Sequence, residues 1–564
     1  MKKYNLLKVL AITIFVAWLL TLIIPGSYVD YTGAVTSSGI AGIGVWGLLS
    51  NLSISIAYFN GIAVFLIAVA CFYAVLNKVE VYNNFTNKVT SLFKGKERLL
   101  VSIVTITFGI ISLFVSDFII LLVFVPFIYK VMKELEIDKK IILSSSLVAG
   151  LIGSMCGIYN STLFSAFNLE LNTLLLVKIV LFIVSISILL VFIAPRKKKK
   201  QNTNKATKKT SSKTKNVKEE TKTKAVKKVT VKSNEKKVNK ILYATLTLLL
   251  GGLGINKIYA GQIKSGILRL LFSWTLIPFV LSIAEFITVL TEKSDKDGKI
   301  PVTSKRRNNV SFAVLLVLFV LFVIGTIIPW ESLFTNCTIF TDFNSFVSSI
   351  KIGDYTIFGN IIGQPIVTDA STGASSGTIS IFGSWSMTDV SIFLFIIAAV
   401  IVLFSNIKFN DFIATTTASI KKVLPVAITA MLISIVLVIM VTSGINVTIA
   451  NAILKLTKGF NIATTTLATM VGSVLTADFY YFISTVGSVV TATITNKDYY
   501  GVVALIIQSV YNLMMIFVPT SVGLVIGLYY LDIPYNKWFK FIWKLLLILL
   551  VIIIVTSIVV YALV

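Results

Sequence analysis

LLVSIVTITFGIISLFVSDFIILLVFVPFIY (residues 99–129) and NIATTTLATMVGSVLTADFYYFISTVGSVVTATIT (residues 461–495) are each too short to cross a bilayer twice, yet polar flanks of the same lysine-bearing kind bound each at both ends. A spanning helix needs about 20 apolar residues, so two spans and a turn need about 40. Each run therefore reads as a hairpin that enters the membrane and turns back. Backbone at such a tip is tolerated at membrane depth only inside protein or a watery cavity. Two tips in one chain point to a solute site.

The rest of the chain agrees with that setting. Of 564 residues 56% are hydrophobic and 13% charged, with a mean hydropathy of +0.91, which predicts an all-α polytopic membrane protein. Histidine is absent, so histidine metal sites, general bases and proton relays are excluded. Cys71, Cys156 and Cys337 lack CxxC spacing, which argues against a disulfide framework and a zinc or iron-sulfur site. Neither convergent acids of the DDxxD kind nor a nucleophile with a base is visible, so the chain does not read as an enzyme. Lys2 and Lys3 precede an apolar run from Leu6 to Pro25 with no small-x-small pattern after it. An uncleaved first helix is preferred to a signal peptide, with the amino terminus inside.

The net charge of +27 is concentrated. Residues 196–240 hold 19 lysines and arginines against three glutamates in a stretch rich in Thr, Asn and Ser, too polar to build a core. It reads as a solvated cytoplasmic linker obeying the positive-inside rule, with anionic lipid head groups as the next candidate partner. Nucleic acid is a poor one, because no aromatic residues interleave the lysines.

With that linker inside, 6–25 runs outward, 53–77 inward, hairpin 99–129 opens from inside, 141–169 runs outward and 172–194 returns. In the second half 309–329 runs outward to a polar external loop, 330–384. Then 391–405 runs inward, 423–442 outward, hairpin 461–495 opens from outside, 500–530 runs inward and 541–563 outward. Residues 78–96 and 444–459 suit interfacial helices. The two halves thus share one plan with opposite polarity, the pattern of inverted-repeat secondary transporters with a site at the midplane.

Both halves carry an interrupted helix, GSMCGIYNS (153–161) and VPTSVGL (518–524). Such breaks free N–H and C=O groups for a ligand, or serve as packing kinks. Each hairpin holds one carboxylate, Asp117 and Asp478. A carboxylate costs about 2.5–3.5 kcal/mol at mid-membrane, which fits either a coupling site for sodium or a proton or a helix cap at the tip. Lys178 either faces the bundle as a charge partner or snorkels outward. Ser116, Asp117, Ser154, Asn160, Asp478, Ser484, Thr485, Ser488, Thr520 and Ser521 are expected to line one polar cavity, the hydroxyls and Asn160 toward substrate and the two aspartates toward the coupling ion.

The run from Gln508 to Leu549, with its PTS tip and P-Y-x-K-W at Pro534, Tyr535, Lys537 and Trp538, resembles the carboxyl-terminal signature of YfcC-like carriers, related to C4-dicarboxylate and aminobenzoyl-glutamate carriers of the ion transporter superfamily. FGSWSMTD (382–389), LTLIIPGSY (20–28) and GSMCG (153–157) are similar to that family's other landmarks. The resemblance covers residues 1–195 and 309–564. It implies a scaffold and transport domain moving organic anions or amino acids, coupled to a cation gradient. GIYNS stands where the family has Asn-Pro, and the approach to the second PTS is SVYNLMMIFV, so the binding chemistry departs from the family's.

The middle of the chain carries a second resemblance. GGLGINKIYAGQIKSGILRLLF (251–272) is similar to the two-helix TM-two domain, with Gly254, Asn256, Lys257, Tyr259, Gly261 and Gly266 on its pattern and Glu285 for its usual Asp. The expected organisation is a first transporter repeat (1–195), the basic linker (196–240), the two-helix domain (241–300) and a second repeat (301–564). The expected function is a secondary active transporter in the cell membrane; the alternative is a channel, regulator or anchor built around the two-helix domain. Expected partners are a small-molecule solute, membrane lipids and a second copy of the chain in a homodimer. No cofactor or metal is expected beyond a transported sodium ion or proton.

Overall fold

The computed structural model describes residues 4–194 apart from 31, 41, 116, 117, 159, 171 and 172, residues 237–301 apart from 272–276 and 293, and residues 385–564 apart from 405, 406 and 458, with a few isolated positions between 338 and 376. The expected span 309–329, most of loop 330–384, nearly all of linker 196–240, and Ser116 and Asp117 lie outside the described residues. The chain forms two compact units, Met1–Ala194 with Arg307–Val564, and Pro195–Arg306.

The larger unit is helical. Its first half contains α1 (Tyr4–Thr21), a short hairpin of β1 (Gly26–Val29) and β2 (Val35–Gly39), α2 (Val45–Leu76), α3 (Glu80–Phe93) and α4 (Glu97–Ser112). After a turn, residues Phe118–Phe124 form a 3-10 segment that runs into α5 (Val125–Glu134). Next come α6 (Lys139–Leu143), a π turn (Ser144–Val148) and α7 (Ala149–Met155), then α8 (Ser161–Phe167) and α9 (Leu175–Ile193). Among the described residues three helices are long and apolar enough to cross a membrane, Leu175–Ile193, Phe409–Ser443 and Tyr535–Leu563. A fourth is added if α2, bent by 46° between Ala57 and Asn60, counts as one span.

Helix α9 shows why these segments need lipid. Lys178, Leu181, Phe182, Ser185, Ile186, Leu189 and Ile193 recur at helical spacing and are buried, while Leu176 and Val191 are 78% and 79% exposed. An exposed apolar face of that kind is satisfied by acyl chains, not by water. The protein is therefore an all-α membrane protein, its few strands confined to short hairpins.

The inserted unit, taken by itself, is closed by two strands. β3 (Lys237–Asn239) pairs antiparallel with β4 (Lys299–Pro301), and between them lie α10 (Lys240–Leu250), α11 (Ile255–Tyr259), α12 (Ile263–Leu271) and α13 (Ile277–Thr291). Val238, Tyr243, Ala244, Ala260, Val289 and Ile300 form its core.

The second half of the larger unit contains α14 (Met387–Phe404), α15 (Phe409–Ser443), α16 (Ile445–Leu454) and α17 (Ile462–Leu475). The run expected to form the second hairpin breaks at Thr476–Asp478 and continues as α18 (Phe479–Phe482), a π turn (Ile483–Gly487) and α19 (Ser488–Thr493). Then α20 (Tyr500–Met515) breaks before α21 (Val522–Tyr530), and α22 (Tyr535–Leu563) closes the chain. Both interrupted helices are thus present, α7 to α8 and α20 to α21. Gly153 lets α7 approach α4 backbone to backbone: a Cβ there would meet the Gly109 carbonyl oxygen at 2.2 Å.

Candidate functional site

The two breaks and the tip of the second hairpin converge on a cavity of about 450 Å³ within the larger unit. The first break contributes Ser154, Gly157, Asn160 and Thr162, the hairpin tip Ala477 and Asp478, and the second break Thr520, Ser521, Val522 and Gly523. These are joined by direct bonds: the Ile158 N–H donates to the Leu113 carbonyl (2.9 Å), and the Thr520 hydroxyl donates to the Val474 carbonyl (2.9 Å). Each break is thereby tied to the apolar run of its own half.

Both half-helices that start at the breaks have side-chain caps. Asn160 Oδ1 accepts from Leu163 N–H at 3.0 Å and Ser521 Oγ accepts from Leu524 N–H at 3.5 Å. Asp478 is the N-cap of α18, its carboxylate accepting from Tyr481 N–H at 3.1 Å, while the residue also lines the cavity. Of the two roles open to it, the capping bond is the one formed here.

Side chains on the continuous parts of helices complete the wall. Gln508 donates through Nε2 to the Ser154 carbonyl (3.1 Å) and the Gly157 carbonyl (3.0 Å), bridging the two broken helices. Gly157 makes room for it, since a Cβ there would stand 2.8 Å from Nε2. Gln508 Oε1 and Ser154 Oγ are buried without a hydrogen-bond partner. Ser386, Thr388, Ser434, Tyr511 and Asn512 also face the cavity. Among the described lining residues Asp478 is the one charged group.

Of the residues expected at the site, Ser154, Asn160, Asp478, Thr520 and Ser521 come together, and Ser116 and Asp117 lie outside the described residues. Ser484, Thr485 and Ser488 do not line the cavity. Their hydroxyls bond back to the carbonyls of Tyr481, Tyr481 and Ser484. The π turn at Ile483–Gly487 shifts the register of the arm on which they sit.

The carbonyl ends of both breaks are also occupied. Lys178 faces inward, 4% exposed, and its Nζ donates to the Gly157 carbonyl at 3.2 Å while lying 4.9 Å from the centre of the Phe164 ring. At the second break Trp538 Nε1 donates to the Ile516 carbonyl (3.0 Å) and the Tyr535 hydroxyl to the Phe517 carbonyl (2.5 Å). In each case the donor comes from the helix that follows the broken one.

A second buried polar cluster belongs to the inserted unit. Glu285, 1% exposed, accepts from Tyr243 Oη (2.5 Å), Asn256 Nδ2 (3.2 Å), Lys257 Nζ (2.6 Å) and an Arg269 guanidinium nitrogen (3.0 Å). Gly254, at φ +78°, lies so close to Gly266 that a Cβ would meet its carbonyl oxygen at 2.2 Å. A profile of the TM2 domain matches residues 236–287. Over 54 residues the chain is 50% identical to the uncharacterized membrane protein YozV of Bacillus subtilis (strain 168), a match covering 10% of this chain and 68% of the relative. The chain belongs to the TM2-domain membrane proteins. The match speaks for the TM2 unit alone, and there the pattern acquires a physical meaning. Asn256, Lys257 and Glu285 are partners in one network, and Gly254 and Gly266 are the points where two backbones touch. No solved structure matches the chain.

Proposed function

We propose that the larger unit is a secondary active transporter that moves a small organic anion or amino acid across the cytoplasmic membrane, coupled to sodium or protons. The observation that carries this reading is the meeting of both helix breaks and the second hairpin tip on one polar cavity. Support comes also from Gln508 Oε1 and Ser154 Oγ, on two lining residues, which are buried without a partner where buried polar atoms are ordinarily paired. The amino end of α21 opens on the cavity at Val522 and Gly523, where the N–H groups of a first helical turn and the helix dipole suit a carboxylate. The sequence separation of Asp117 from Asp478 equals that of Asn160 from Ser521, which supports reading the two halves as repeats. In that reading the chain is multi-pass, with the amino terminus and residues 196–240 on the cytoplasmic side.

The resemblance to YfcC-like carriers agrees with the cavity. Its FGSWSMTD landmark supplies Ser386 and Thr388, its PTS supplies Thr520 and Ser521, and its P-Y-x-K-W supplies the Tyr535 and Trp538 that hold the second break. The test is uptake by the purified chain in proteoliposomes, with dicarboxylates and amino acids supplied under an imposed proton or sodium gradient. Saturable uptake that falls tenfold or more in Gln508→Leu, with the protein still folded, is expected. Flux that rises linearly with solute concentration, or none from either class, overturns the reading. The TM2 match favours a second reading, a membrane anchor or regulator organised by that unit, in which uptake is absent and removal of residues 196–300 abolishes the activity.

A further inference from the structure

We infer that Lys178 is a resident cation: its ammonium fills the place that a dissociable sodium ion would take at the carbonyl end of the first helix break. The inference rests on the transporter reading above and specifies how that break is neutralised.

The carbonyls left free where a helix unwinds carry concentrated negative potential, and in transporters with broken helices they are the groups that hold sodium ions. Here the segment from Lys139 to Met155 ends at the first break, and the Gly157 carbonyl beyond it receives the Lys178 ammonium and the Gln508 amide together. The Ser154 carbonyl is taken by the same amide, and the Met155 carbonyl by the Ser509 hydroxyl at 3.3 Å. A bare metal ion would have to displace all three donors. Lys178 arrives from the fourth position of α9, and its ammonium lies over Phe164 on the half-helix beyond the break. Among the described residues no carboxylate stands within ion-pair distance of it. Among the described groups, the Gly157 carbonyl and the Phe164 ring face are what replace the water of this buried ammonium. The charge is thus matched to the break itself.

The second break sharpens the assignment. Trp538, also at the fourth position of its helix, caps the equivalent carbonyl end with a neutral N–H. One fold therefore solves the same capping problem twice, with an ammonium at the first break and, among the described donors, neutral groups at the second.

The test is thermal unfolding of the full chain, expressed and purified throughout in sodium chloride, with sodium, methylammonium and choline chloride then exchanged at constant ionic strength. Wild type and Lys178→Arg are expected to unfold at one temperature in choline and in methylammonium, and to share one response to sodium, set by any coupling site elsewhere. Lys178→Ala is expected to be less stable in choline, with sodium or methylammonium raising its midpoint saturably by about 2 °C or more. Lys178→Gln, which keeps a donor and loses the charge, is expected to respond in the same direction. Stabilisation of wild type by methylammonium overturns the inference. So does the absence of any sodium or methylammonium response in both neutral variants, or their failure to fold in sodium, which should complete the vacated site. The readout needs no solute, so a chain that moves nothing in proteoliposomes defeats the transporter reading without touching this result.

Discussion

Glu285 in the TM2 unit and Gln508 in the larger unit each sit at the centre of a buried polar cluster, and they are satisfied in opposite ways. The Glu285 carboxylate accepts from four side chains on three other segments. Gln508 uses both donated bonds to tie two helices together and leaves its oxygen buried without a partner beside the cavity its residue lines. A saturated centre holds its neighbours in place and has nothing left for a ligand. An open centre keeps a desolvated acceptor in reserve, at a standing cost, and that cost is what a bound donor would relieve.

The comparison is broken most severely at Glu285. Glu285→Ala leaves Lys257 and Arg269 buried without their counter-charge, and removing one member of such a network costs about 3–5 kcal/mol. The TM2 unit is expected to become protease-sensitive between residues 237 and 301, while the larger unit keeps its thermal midpoint. Intact protection would show that the cluster does not hold the unit together. Trp538→Phe comes next. It keeps the ring and leaves the Ile516 carbonyl unsatisfied, a loss of about 1–3 kcal/mol read as a lower midpoint for the larger unit. An unchanged midpoint would mean that the second break does not depend on its cap. The smallest effect belongs to Ser154→Ala, which deletes an orphan. Stability should stay within about 1 kcal/mol of wild type or rise slightly, with solute uptake reduced at the same time. A loss of several kcal/mol would show Ser154 to be paired after all, and would erase the contrast.

The parts of the fold that could be read from residues alone were those marked by run length or by helix-breaking chemistry. The helix breaks at Thr476–Asp478, before Ser161 and before Val522 stand where Gly, Pro, Ser and Thr interrupt the apolar runs. The same logic named Ser154, Asn160, Asp478, Thr520 and Ser521, which line one cavity. It missed Gln508, Asn512 and Ser434 because they lie on unbroken helices, where periodicity selects a face without saying what that face meets. It wrongly grouped Ser484, Thr485 and Ser488 with them, since hydroxyls near a tip look alike whether they face a cavity or bond to their own helix. In the TM2 unit the pattern residues Asn256, Lys257 and Glu285 were legible as a set, whereas Tyr243 and Arg269 acquire meaning only when the fold brings them to Glu285.

The pairing of β3 with β4 has a consequence for how such a chain could arise. Lys237 lies opposite Pro301, so the described part of the unit begins and ends at one point, with Lys237 Nζ and Asp295 Oδ2 2.9 Å apart beside it. A segment whose two ends already touch asks nothing of its host except a single interruption. It can be spliced into a loop without stretching the host's own connections, and excised again without leaving a gap to bridge. The strand pair thus works as a zipper pull for genetic traffic, making a membrane domain portable between unrelated chains.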